Sequence, residues 1–117
     1  LLSLLQRYGE DAKVVAGGTA FTVLRRAGLL RAEHLVGCAQ LPGLAAVTVS
    51  QEEVRLGALV RLRQAETSKE VRARLPVLTA ALRLVANLRV RNVATFGGNL
   101  AEGDFTSDPP CVLTALG

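Results

Sequence analysis

Tryptophan and methionine are absent from this 117-residue chain, and its aromatics are one tyrosine and three phenylalanines (Tyr8, Phe21, Phe96, Phe105). That is too few for the stacking platforms that hold single-stranded nucleic acid. The formal charge of +4 comes almost wholly from arginines scattered along the chain, so a phosphate-backbone footprint is not expected and no nucleic-acid partner is assigned. One histidine (His34) and two cysteines (Cys38, Cys111) cannot supply the four thiolates of a common iron–sulfur cluster and make a poor zinc set, so no metal is expected. Both thiols are expected to be free, apolar and buried, in a reducing compartment. No apolar run approaches the ~20 residues of a membrane span. The start, LLSLLQRYGEDAK, is apolar without a basic leader or a cleavage site, so a signal peptide is not expected and a cytoplasmic location is the default. There is no Ser–His–Asp set, no activated thiol and no defined pair of acids. Any chemistry is therefore expected to belong to a bound cofactor.

What remains is 50% hydrophobic and 21% charged, the balance of a folded chain. Leu1, Leu2, Leu4, Leu5 and Tyr8 recur at helical spacing, with Gly9 placed to end the helix. Lys13 to Ala16 reads as a short buried strand, Thr19 to Ala27 as a helix with Gly28 near its end, and EHLVGC (33–38) as a second strand. AAVTVS and EVRLGA alternate about a polar turn at Gln51 and Glu52 and predict a hairpin. Residues 62–73 predict one amphipathic helix. PVLTAALRLVAN predicts a second, apolar nearly all round and hence buried, with Pro76 in its first turn. LRVRNVATFGGNLA reads as extended, with Arg89 and Arg91 as exposed strand arginines, the alternative being that they reach a phosphate. SDPPCVLTALG predicts a last helix capped by Ser107 or Asp108. A composition shift near residue 45 separates βα units from a hairpin followed by helices, giving candidate units 1–45 and 46–117.

Two glycine pairs stand out. Gly17-Gly18 follows a strand and opens a helix, where free N–H groups and the positive helix end converge on a natural seat for phosphate. A β-carbon there would hold a diphosphate away from the amides, and such loops often need positive φ. Thr19 could add a hydroxyl. Gly97-Gly98-Asn99, introduced by Thr95, is the second pair, and the two together could clamp one diphosphate with backbone amides. Taken singly, each is equally readable as a plain turn. Asp108 reads either as a helix cap or as a carboxylate accepting from the hydroxyls of a cofactor's sugar chain. Glu102 and Asp104 read as solvated loop charges and His34 as structural.

VVAGGTAF, LLRAEHLVGCAQLPGL, VRLGALVRL and RVRNVATFGGNLAEGDFTSDPPCVLTALG, in that order and spacing, resemble the FAD-binding medium subunit of molybdenum hydroxylases, a family that includes the carbon monoxide dehydrogenase flavoprotein and the xanthine dehydrogenase flavin domain. The resemblance implies an α+β, p-cresol methylhydroxylase-type FAD-binding fold: a small α/β subdomain, then part of a second subdomain built on an antiparallel sheet, with FAD between them. It implies that Val15, Ala16, Gly17, Gly18, Thr19, Ala20 and Phe21, together with Thr95, Gly97, Gly98 and Asn99, hold the pyrophosphate, and that Asp108 lies near the ribityl chain. The implied role is the flavoprotein component of a molybdopterin oxidoreductase, passing electrons from a [2Fe–2S] small subunit, fed by a molybdopterin large subunit, to an acceptor. A cofactor-free assembly module, or one binding nucleotide diphosphates, is the alternative. The chain departs from the family's pattern at Ala20, where a polar residue is common, at Asp104-Phe105, and at Arg61, a poor helix cap where threonine is frequent. It lacks the family's first strand and everything after Gly117.

Overall fold

Two small sheets and eight short helices make up the chain, described over residues 1–117 in a computed structural model. Helix α1 (Leu2–Tyr8) ends at Gly9, whose φ of 51° no β-branched residue would accept easily. A 3-10 turn leads into β1 (Ala12–Val15). Helix α2 (Thr19–Arg26) then returns the chain to β2 (His34–Gly37), which pairs parallel with β1, Val14 opposite Val36. His34 stacks on Tyr8 with ring centroids 3.8 Å apart, the structural role expected of it. The strand β1 is not buried as expected: only Ala12 is, while Lys13 and Val14, which point to opposite faces of the two-stranded sheet, are both exposed.

The predicted hairpin is present as β3 (Val47–Val49) and β4 (Val54–Leu56), antiparallel, with Ser50 bonding across the turn to Glu53. The single helix expected over 62–73 is two: α3 (Leu62–Thr67) and α4 (Lys69–Arg74). Ser68 breaks them with ψ 126°, and its hydroxyl accepts from the Val71 N–H at 3.2 Å, capping the second. Pro76 opens α5 (Pro76–Leu84) in its first turn as expected. That helix buries Leu78, Thr79 and Leu82 but leaves Leu84 79% exposed, so its apolar surround is not all core.

The extended reading of residues 88–101 is wrong. The segment forms α6 (Leu88–Arg91) and α7 (Phe96–Glu102), and its one trace of β structure is an isolated bridge between Arg61 and Thr95. Each helix has a side-chain cap: Asn87 accepts from Val90 N–H at 3.1 Å, Thr95 from Gly98 N–H at 3.1 Å. Gly97 and Gly98 are therefore first-turn helix residues, not a tight turn. Helix α8 (Asp108–Leu116) closes the chain with Pro109 and Pro110 in its first turn. Ser107 stands at the cap position, but its hydroxyl is taken by Asn99 Nδ2 at 2.8 Å.

The core belongs to the second part of the chain: Val60, Leu62, Ala65, Val71, Leu78, Leu82, Ala94 and Phe96, assembled by α3, α4, α5 and the segment leading into α7. One ion cluster is set into it. Glu66, 4% exposed, accepts from Arg63 and from Arg91 Nε at 2.9 Å. Arg91 is thus a part-buried partner of Glu66 rather than an exposed strand arginine. Cys38 is buried as expected. Cys111 is exposed, on the outer side of α8, contrary to expectation.

Candidate functional site

A cleft of about 330 Å³ runs between the β1–α2 loop and the start of α7. It is at the small end of the roughly 300–1,000 Å³ typical of ligand sites. Val15, Ala16, Gly17, Gly18, Thr19, Ala20 and Phe21 line one side, and Thr95, Gly98, Asn99 and Asp108 the other. Gly17 and Gly18 therefore share one hollow with Gly98, far away in sequence. Of the residues expected at the site, only Gly97 does not line it.

The first wall is built for close backbone approach. Gly18 is the cap residue of α2 at φ 71°, ψ 10°, a left-handed conformation that costs an L-residue about 1–2 kcal/mol. Gly17 is required for a different reason: a β-carbon there would overlap the Val93 carbonyl. The loop is thereby pressed against the chain entering α7. The N–H groups of Gly17, Gly18, Thr19 and Ala20 meet no backbone acceptor in the chain, as expected where a helix begins. With the eight residues of α2 behind them, they form a patch of partial positive charge without any lysine or arginine.

The second wall works differently from the symmetric clamp that the sequence suggests. Gly97 N–H donates to the Ala58 carbonyl at 2.8 Å, Gly98 N–H to the Thr95 hydroxyl, and Asn99 N–H to the Thr95 carbonyl at 2.9 Å. All three amides are already engaged. The glycines serve packing, since a β-carbon at Gly97 would lie 2.7 Å from that of Ala58, and one at Gly98 2.9 Å from the Thr95 hydroxyl. What this wall offers a ligand is the Asn99 side chain. Its Nδ2 is bonded to Ser107, and its Oδ1 is buried without any partner. Because a serine hydroxyl both donates and accepts, the amide can turn over and present Nδ2 instead, so the position suits a donor or an acceptor.

Beyond Asn99 the cleft becomes acidic. Glu102, Asp104 and Asp108 line it, and none is paired with a cation, since the acidic partners in the chain's ion pairs are Glu53 and Glu66. Asp104 accepts from the Thr106 hydroxyl at 2.7 Å and from the Thr106 N–H at 2.8 Å, which together hold its carboxyl below the usual aspartate range. The roof is apolar: Val85 and Ala86 from the α5–α6 turn, and Val90 from α6. Sequence reasoning missed this roof, and no local motif marks it. Its one sign in the structure is Ala86 at φ 44°, the only non-glycine residue of positive φ. A diphosphate fits the amide wall, sugar hydroxyls fit the carboxylates and the orphaned Asn99 acceptor, and a ring fits beneath the apolar roof. The donor set thus fits a dinucleotide such as FAD.

Comparison with known proteins agrees. All of residues 1–117 match the family described as FAD binding domain in molybdopterin dehydrogenase. The chain is 38% identical over 115 residues to the 6-hydroxypseudooxynicotine dehydrogenase complex subunit alpha of Paenarthrobacter nicotinovorans, covering 98% of this chain and 39% of that one. It is 33% identical to the carbon monoxide dehydrogenase medium chain of Hydrogenophaga pseudoflava, covering 98% and 40%. The crystal structure of a cyanide-inactivated Cu,Mo-CO dehydrogenase superposes with a TM-score of 0.93 at 31% identity, over 99% of this chain and 41% of that one. The chain thus spans about two-fifths of the length of the relatives it matches, and its α+β fold is theirs. It belongs to the family of FAD-binding domains of molybdopterin dehydrogenases.

Proposed function

We propose that this chain is the diphosphate-holding part of the FAD-binding, electron-transferring subunit of a molybdenum hydroxylase. The observation that carries this reading is the polarity of the cleft, with unbonded amides on one wall and unpaired carboxylates further along. Phosphate oxygens only accept, so they belong at the amides, where each charged hydrogen bond contributes about 1.5–3 kcal/mol. Ribose and ribityl hydroxyls can donate, so they belong at Asp108 and its neighbours. In this reading Val15 to Phe21 form the pyrophosphate loop, with Gly17, Gly18 and Thr19 at its centre. Thr95 and Gly98 shape the opposite wall, Gly97 lets that wall pack on Ala58, and Asn99 contacts the ligand. Held there, FAD would supply the redox chemistry of electron transfer between iron–sulfur clusters and an acceptor. The chain's residues bind it, orient it and exclude water from the diphosphate.

The partners in this reading are a [2Fe–2S] small subunit and a molybdopterin large subunit. Support comes from relatives named as a medium chain and as a subunit of a dehydrogenase complex. A cytoplasmic location is part of the same proposal, and no helix is long and apolar enough to cross a membrane. Residues 1–45 and 46–117 are proposed as two subdomains, supported by their separate two-stranded sheets, one parallel and one antiparallel.

The test is titration of flavin-free protein with FAD and with ADP. Tight FAD uptake, competed by ADP but with FAD the stronger ligand, is the expected result. Failure to take up FAD overturns the proposal. Equal affinity for the two ligands would instead make the chain a nucleotide-diphosphate module.

A further inference from the structure

We propose that the ion pair between the buried Glu66 and the part-buried Arg91 is a positioning device for the cleft, holding the α5–α6 turn in a conformation that Ala86 would not adopt alone and thereby setting the affinity for FAD. The inference rests on the reading of the cleft given above. Three observations on different elements converge on it. Ala86 lines the cleft and carries φ 44°, a region that non-glycine residues occupy at functional sites when the surroundings impose it. The residue before it, Val85, also lines the cleft, and its carbonyl accepts from Arg91 Nη1 at 2.8 Å. Arg91 is only 12% exposed and is held in turn by Glu66 on α3, inside the core.

The guanidinium is suited to this because its donors are fixed in one plane. Nε meets Glu66 Oε2 while Nη1 reaches the Val85 carbonyl, so one rigid group joins the core to the roof. Arg63 occupies the other oxygen of Glu66 and keeps the carboxylate from turning away. Asn87 adds a local restraint by capping α6, and the Arg91 N–H bonds back to the Asn87 carbonyl at 3.0 Å. The turn is thus bounded on both sides, and Ala86 lies at the point left over. Neither Glu66 nor Arg91 lines the cleft, so both are positioning residues rather than ligand contacts.

The experiment compares Arg91→Lys, Ala86→Gly and the double variant in the full protein. Lysine keeps the charge facing Glu66 but cannot hold both bonds in one plane. Glycine accepts φ 44° without being held there. The expected result is an FAD dissociation constant raised about tenfold by Arg91→Lys, and less than about twofold when Ala86→Gly is also present. An equal loss in both backgrounds would show a general structural role and overturn the proposal. A second readout needs no ligand: the Ala86 carbon-13 shifts, which report the sign of φ, should leave left-handed values in Arg91→Lys. Unchanged shifts also overturn it. Should Arg91→Lys fail to fold, Glu66→Gln takes its place, with about a threefold loss that glycine at 86 again suppresses. If the parent protein takes up no FAD, the functional reading fails on its own, and the Ala86 shifts alone decide the positioning claim.

Discussion

Gly17 and Gly18 are adjacent yet serve different purposes, and substitution separates them. Gly18→Val puts a β-branched side chain at φ 71°, close to Val15 Cγ1, without striking any core element. The variant is expected to keep its far-ultraviolet circular dichroism, to lose about 1–3 kcal/mol in urea unfolding and to lose measurable FAD binding. Binding equal to the parent's would mean the loop is punctuation only. Asp104 carries a pH prediction. Its carboxyl is held low mainly by the Thr106 hydroxyl and then by the Thr106 amide. A lowered folded value means these bonds contribute at neutral pH and down past the ordinary aspartate value of 3.8, and are lost as pH falls through the lowered one. Carbon-13 NMR titration should place the Asp104 midpoint below that of an unfolded peptide; a midpoint at or above it contradicts the Thr106 bonds. At this scale the sequence was legible where function is local. Gly17, Gly18 and Thr19 announce themselves as a glycine pair and a helix start directly after a strand. Ala86 and Arg91 do not, because Arg91 finds its meaning in Glu66, 25 positions away, and alanine is no marker of positive φ.

Helix α7 shows how an element can be hidden in plain sequence. In α6 just before it, alternation through Arg89, Val90 and Arg91 imitates a strand, and in α7 itself a glycine pair argues against a helix. The helix forms because Thr95 caps it and because Gly97 lets it lie against Ala58. The readable signal was the spacing from cap to capped amide, Asn87 to Val90 and Thr95 to Gly98, which outweighs propensity in helices this short. The same misreading joined α3 to α4 across Ser68. Thr95→Ala is expected to destabilise the protein by about 1–2 kcal/mol in urea unfolding, while Thr95→Ser retains most of the stability. Identical losses for the two would show that packing around the methyl group, not the hydroxyl cap, is what α7 needs. The hairpin β3–β4 and helices α1 and α2 were legible because their cues, alternation and terminal glycines, act within a few residues.

The whole molecule is looser than its length suggests. Its radius of gyration is 15.0 Å, against about 13–14 Å for a compact domain of this size. The core lies almost entirely after residue 58, and residues 1–45 meet that part of the chain where Gly17 abuts Val93 and where the Leu59 N–H donates to the Leu44 carbonyl at 2.7 Å. A ligand bridging both walls should therefore stabilise the chain noticeably. At a hundredfold excess over the dissociation constant FAD should contribute about 2.7 kcal/mol, raising the melting temperature by on the order of 10 °C. A melting curve indifferent to saturating FAD would mean that the ligand bridges nothing.

The parallel pair β1–β2 has one further consequence. Each strand spends one side on its neighbour, and the opposite rows of amide and carbonyl groups have no ladder partner. Such a ribbon is a half-finished template, ready to accept any extended segment that meets it at the right register. Handled alone at high concentration, the chain should recruit copies of itself along those rows. An adjoining strand, supplied in cis or as a peptide, should keep it monodisperse.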